Sequence, residues 1–141
     1  MAPDWELPGP DGEMQKLSDY RGQVVLMDFW ATWCGPCIRA MPSLQGLHEK
    51  YADRGLAVIG VNCFERANGP DPIEFKKSRG LSYGLVLKGD DVARQYNVSG
   101  IPAFYIIGVD GRIIYSSTGY LDGKEREFEQ VILEHFEANG M

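Results

Sequence analysis

Val24-Val25-Leu26-Met27-Asp28-Phe29-Trp30-Ala31-Thr32-Trp33-Cys34-Gly35-Pro36-Cys37 is the stretch that decides the reading of this 141-residue chain. Residues 24–30 form a nearly unbroken apolar run, as expected of a strand covered on both faces. Beyond them, Cys37/Ile38, Met41, Leu44, Leu47/His48 and Tyr51 recur every three or four residues, which is one face of a helix. Cys34 and Cys37 therefore stand at a strand-to-helix junction. Free N–H groups and the helix dipole favour negative charge there, so the first thiol is expected to ionise readily. The thiolate is the form that attacks disulfides. Two cysteines that close a small disulfide and reopen it point to dithiol–disulfide exchange.

Two other readings of the pair stand beside this one. A CxxC is half of a zinc site, but zinc takes four ligands, usually with a second pair at similar spacing. The remaining candidates are Cys63, His48 and His135, and they supply no such pair. A purely structural disulfide is the other reading, and so short a loop recovers little loop-closure entropy.

Outward from the junction, Leu56–Asn62 reads as a second buried strand, which completes a βαβ unit with a right-handed crossover. Pro42 falls inside the intervening helix and is expected to interrupt and kink it, and Gly55 to end it. Asp71-Pro72-Ile73-Glu74 reads as a helix start, with an Asp cap and Pro at the first position, and Gly80 closes that helix. Leu85–Leu87 reads as a short strand and Asp91–Tyr96 as a short helix. Ala103–Val109 and Arg112–Ser117 flank Asp110-Gly111, a strong hairpin signal. Phe128, Val131/Ile132 and His135/Phe136 mark a last amphipathic helix. Ahead of the junction, residues 1–23 read as a hairpin-like arm around Pro8-Gly9-Pro10-Asp11-Gly12. The order predicts an α/β fold in one domain, residues 1–141: a mixed central sheet with helices on both faces.

Composition narrows the function classes. An apolar content of 44% and a charged content of 24% suit a globular domain with a real core. A net charge of −6 argues against nucleic acid as a partner. Three cysteines are too few for a disulfide scaffold. No run approaches the roughly 18 apolar residues of a membrane span, and no export signal is visible. Met1-Ala2-Pro3-Asp4 opens almost directly on the arm, which is compatible with a signal or anchor upstream.

Asp28-Phe29-Trp30-Ala31-Thr32-Trp33-Cys34-Gly35-Pro36-Cys37, Gly100-Ile101-Pro102 and the closing hairpin and helix together resemble the thioredoxin fold over essentially the whole chain. The arm, from Ala2-Pro3-Asp4-Trp5 through Leu17-Ser18-Asp19-Tyr20-Arg21-Gly22, resembles the TlpA/ResA-like, AhpC/TSA-related branch. So does a helix-and-strand insertion at about residues 64–97, before Pro102. The resemblance implies a cis peptide bond at Ile101–Pro102, facing the cysteines and leaving the Ile101 backbone free to pair with an extended substrate chain. It also implies that Cys34 is the attacking sulfur and the more exposed one, and that Cys37 resolves the mixed disulfide. Pro36 matches the family motif and suits an early helix position. Gly35 stands beside it in the substrate-facing turn. Trp33 is expected on that same surface, and Trp30 against the core.

Two carboxylates compete for the proton of Cys37. Asp28 lies in mid-run, where burial should raise its pKa and make it a proton acceptor, unless it reaches solvent at a strand end. Its position matches the thioredoxin Asp, whereas TlpA/ResA-like proteins more often carry an uncharged residue there. Glu65 matches a ResA-like Glu that lies near the cysteines and assists proton movement; its other reading is a solvated loop residue. Cys63 is expected to be a small buried apolar residue, with a third redox thiol as the alternative. His48 and His135 belong to no motif.

The resemblance implies a thiol–disulfide oxidoreductase, with no cofactor and no metal. Gly35-Pro36 matches thioredoxin, a reductant near about −270 mV. Oxidised cysteine pairs of proteins would be the substrates, with apocytochrome c haem-attachment cysteines or copper-site thiols among them. A membrane thiol transporter or a thioredoxin-type donor would return the electrons. Two alternatives are a peroxiredoxin-like peroxidase and a copper-binding chaperone. The peroxidase pattern has Pro and Thr where this chain has Met27 and Ala31. The copper pattern needs a late His, and none lies near Pro102. The implied location is the bacterial periplasm or the outer face of the membrane, with the cytoplasm as the alternative.

Overall fold

In the computed structural model, which describes all of residues 1–141, the chain opens on an antiparallel hairpin, β1 (Glu6–Pro8) and β2 (Met14–Lys16). A 3-10 turn, Leu17–Tyr20, leads into the buried run at 24–30, which is β3 (Val24–Trp30). Helix α1 (Gly35–Tyr51), β4 (Leu56–Asn62), α2 (Pro72–Ser78), β5 (Gly84–Val86) and α3 (Asp90–Gln95) follow. The chain closes with β6 (Ala103–Ile107), β7 (Ile113–Thr118) and α4 (Glu125–Ala138). No helix is long and apolar enough to cross a membrane.

The five-stranded sheet runs β5-β4-β3-β6-β7, with β3 parallel to β4 and β4 to β5. The β3–β6 and β6–β7 pairs are antiparallel, so the sheet is mixed and β3 lies at its centre. Alternation along β3 sorts its side chains between two cores. Val25, Met27 and Phe29 join Ile59, Val61, Ile107 and the α3 residues Val92 and Ala93, under the arm residues Trp5, Leu7 and Leu17. Val24 and Leu26 face Leu44 and Leu47 of α1 and Phe128, Ile132 and Phe136 of α4. Helices thus cover both faces, as the order of elements predicts.

Several boundaries differ from the expectation, each for a local reason. The expected interruption at Pro42 is absent: α1 continues through it for 17 residues, because burial of Ala40, Met41, Leu44 and Leu47 outweighs one missing N–H. The helix stops at Tyr51, and Gly55 ends the following 3-10 turn at φ 103°, a conformation that glycine adopts without strain. The third sheet strand starts one residue earlier than its apolar triplet, at exposed Gly84, which pairs with Ile59. In the closing hairpin the first strand ends two residues early, at Ile107, the second is shifted one residue on, to Ile113–Thr118, and a bulge lies at Ile106/Ile107.

Candidate active site

Cys34 is the N-cap of α1, and Gly35 and Pro36 form the first helical positions. Pro36 has no N–H to leave unsatisfied there. The pair is joined as a disulfide with Cα atoms 5.2 Å apart. The Cys37 N–H donates to Cys34 Sγ at 3.2 Å, so an orphan donor of the helix start points at the first sulfur. Cys34 is 3% exposed and Cys37 is fully buried, so Cys34 is the more accessible of two well-covered sulfurs.

The Ile101–Pro102 peptide is cis, and the Ile101 carbonyl oxygen lies 3.6 Å from Cys34 Sγ. Neither the N–H nor the C=O of Ile101 has a backbone partner. Two residues on, Ala103 enters β6 and pairs with Phe29, so the centre of the sheet fixes this loop against the disulfide.

Asp28 lies on the α1 face of β3, between Leu26 and Trp30, and Trp30 packs with Cys34, Cys37 and Met41. It is fully buried, and neither carboxyl oxygen has a hydrogen-bond partner. Desolvation pushes its pKa up to about 8. Opposite it on β4 stands Gly60, where a Cβ would come within 2.8 Å of the Trp30 indole nitrogen. That glycine makes room for the Trp30 ring.

Glu65 is held in place. Its Oε2 accepts from the Thr32 N–H and from Asn62 Nδ2, both at 2.7 Å, and its Oε1 accepts from the Thr32 hydroxyl at 2.5 Å. The loop after β4 is thereby tied to the loop that presents Cys34. A second tie runs beside it: Trp33 Nε1 donates to the Phe64 carbonyl at 2.7 Å, and the Phe64 N–H donates to Asp90 at 2.8 Å. Trp33 is 40% exposed, with the Arg66 guanidinium 4.0 Å from its ring centroid, whereas Trp30 is buried.

Sequence reasoning missed Thr32, Asn62 and Asp90. The signal for the first two is their polarity at the ends of the apolar runs of β3 and β4, where a buried polar side chain needs a partner. Cys63 is buried, and burial, aided by nearby Asp90, Asp28 and Glu65, pushes its thiol up to about 12, so it holds its proton. His135 accepts from the Val109 N–H at 3.1 Å, which ties α4 to the closing hairpin away from the disulfide. No group of three or more His, Cys, Asp or Glu side chains converges as a metal site requires.

Comparison with known proteins agrees with this arrangement. The thiol-disulfide oxidoreductase ResA of Geobacillus kaustophilus is 34% identical over 133 residues, which covers 92% of this chain and 75% of that protein. Among solved structures, a protein described as the thiol:disulfide interchange protein DsbE of Chlorobium tepidum matches with a TM-score of 0.86 and 33% identity. That match covers 95% of this chain and 94% of the other. The exposed lipoprotein thioredoxin Etrx1 of Streptococcus pneumoniae matches with a TM-score of 0.73 and 26% identity, covering 94% and 99%. Residues 1–116 match the model of the AhpC/TSA family. With the cis-proline, the capped cysteine pair and the N-terminal arm in place, the chain belongs to the AhpC/TSA family, in its TlpA/ResA-like branch of thiol–disulfide oxidoreductases.

Proposed function

We propose that this chain reduces disulfides in protein substrates, with Cys34 as the attacking sulfur and Cys37 as the resolving one. The observation that carries the reading is the Cys34–Cys37 disulfide at the start of α1, beside the unpaired backbone of Ile101. In the reduced protein the Cys34 thiolate attacks one sulfur of a substrate disulfide, and the other substrate sulfur leaves as a thiolate. Cys37 then loses its proton and attacks Cys34 Sγ. The mixed disulfide breaks, the substrate departs as a dithiol, and the internal disulfide remains. A substrate chain pairing with Ile101 would lie extended across the two sulfurs, with Trp33, Gly35, Pro36 and Pro102 around it.

Asp28 in its ionised form takes the proton of Cys37, directly or through water, because it is the buried carboxyl on the α1 face and burial raises its basicity, with a pKa of about 8. Glu65, whose oxygens already accept three hydrogen bonds, holds the Cys34 loop in place. A dithiol donor must reopen the internal disulfide after each turnover. The likeness to ResA and to an exposed lipoprotein supports a location outside the cytoplasm.

The test is the reduction potential of the pair, titrated in thiol/disulfide buffers and followed by tryptophan fluorescence. A value below about −230 mV places it among reductants such as thioredoxin. A value above about −150 mV makes it an oxidant or isomerase, and the reductase reading falls.

A further inference from the structure

The loop after β4 and the first turns of α1 present positive charge beside Cys34 on an acidic molecule, and we propose that this rim selects substrate disulfides flanked by Asp or Glu. The inference rests on the reductant reading above. Two arginines carry it. Arg66 lies over Trp33, the residue before Cys34, with its guanidinium 4.0 Å from the ring centroid. Arg39 lies beside Gly35, the residue after Cys34, and its Nη1 would stand 3.5 Å from a Cβ placed there. Both side chains are exposed. The ion pairs of the molecule are Lys50–Glu129, Lys77–Glu74, Arg94–Asp91 and Arg112–Asp110, so neither arginine is in one.

The neighbouring carboxylates keep their charge but pair with neither arginine: Glu65 accepts from Thr32 and Asn62, Asp90 from the Phe64 N–H, and Asp28 is fully buried. What the rim offers a partner is therefore two unpaired guanidiniums. Stacking on Trp33 leaves the edge of the Arg66 guanidinium free, and that planar fork matches a carboxylate with two parallel N–H donors. The stack also restrains the side chain before any partner arrives, so less rotamer freedom is lost on contact.

The net charge of −6 opposes an acidic partner at long range. At physiological salt that repulsion is screened beyond about 8 Å, so the charges at the contact decide. Exposed ion pairs are individually weak, and each arginine is expected to contribute roughly a 2- to 5-fold preference. Together they give about a 10-fold preference for an acidic over a basic flank.

The experiment uses the reduced full chain and three synthetic peptides that share one intramolecular disulfide, flanked by Glu, Gln or Lys. Single-turnover rate constants are measured at fixed ionic strength, and each is divided by the same peptide's rate with dithiothreitol. That division removes the intrinsic reactivity of each disulfide. The expected order is Glu, then Gln, then Lys, with about 10-fold between the extremes. The R39Q/R66Q variant should bring that ratio close to one, and R66K, which keeps the charge, should retain most of it. Equal normalised rates for the three peptides overturn the proposal while the reductant reading stands. A preference that survives in R39Q/R66Q also overturns it. If none of the three peptides is reduced, the Gln peptide included, the reductant reading falls and takes the rim with it.

Discussion

At the residue scale the sharpest conflict is at Asp28, a carboxyl with no exposed surface and no hydrogen-bond partner. Its ordinary value is 3.8, and burial raises it to about 8 in the folded protein. Between those values the folded chain holds a proton that the unfolded chain has released. The contribution of Asp28 to stability is therefore greatest below about pH 4 and falls as pH rises toward about 8, by up to ~1.4 kcal/mol per pH unit, and then levels off. Asn at this position has no charge to bury. D28N should lack that slope and be the more stable protein at pH 9, as read by urea unfolding at pH 5, 7 and 9. A difference between the two proteins that stays constant with pH would sink the burial argument. The same proton gives a kinetic prediction. Release of reduced peptide from the Cys34 mixed disulfide should show an inflection near pH 8 in the wild type. D28N should lose the inflection and slow by about 100-fold. E65Q should keep it; if E65Q loses it and D28N does not, the proton belongs to Glu65. Asp28 was legible from sequence because a lone charge inside an apolar run breaks a pattern visible in the run itself.

At the scale of elements, the site depends on two loops being held together. Glu65 takes three donors from Thr32 and Asn62, all of which point into its carboxylate. A Gln can keep the two N–H donors on its oxygen and give its NH2 to the Thr32 hydroxyl, which can accept, whereas an Ala leaves all three donors without their acceptor. E65A should lose about 1–3 kcal/mol of stability in urea unfolding. It should also change the fluorescence of Trp33, whose indole N–H is bonded to the Phe64 carbonyl next door. Unchanged stability together with unchanged fluorescence would show that the clamp does not hold the loop. These ties were the part of the site that sequence could not show. Glu65 and Thr32 are 33 positions apart, and nothing in the local pattern of either says they meet. The strands, by contrast, declare themselves locally, since β3 and β4 are apolar runs that need cover on both faces. Strand ends follow pairing, which is why β5 begins at Gly84, a residue with no apolar signal of its own. Pro42 shows the limit from the other side: its local effect is unfavourable, and the buried face of α1 outweighs it.

At the scale of the whole molecule, the question is whether the N-terminal arm is an appendage or part of the core. Ala2, Trp5, Leu7 and Leu17 are buried against Met27 and Phe29 of the central strand, on the face opposite the helix that carries the cysteines. Trp5 Nε1 donates to Met27 Sδ at 3.4 Å. The Ala2 N–H donates to Gly111, the Tyr96 hydroxyl donates to the Pro3 carbonyl, and the Leu87 N–H donates to Pro8. The arm therefore touches α3, the end of β5 and the closing turn at once, and only α3 otherwise shares that face as a helix. One face of the sheet owes much of its cover to the first 17 residues. Trp5→Ala removes the largest side chain of that cover, and such a truncation in a core costs about 3–5 kcal/mol. For a chain of this length that corresponds to a fall in Tm on the order of 10 °C. The cysteine pair lies on the other side of the sheet, so the reduction potential of the folded W5A protein should match the wild type. A Tm unchanged within a few degrees would make the arm a peripheral ornament. A shifted potential would mean that the two faces of β3 are coupled through Asp28 and Phe29, which alternate along it.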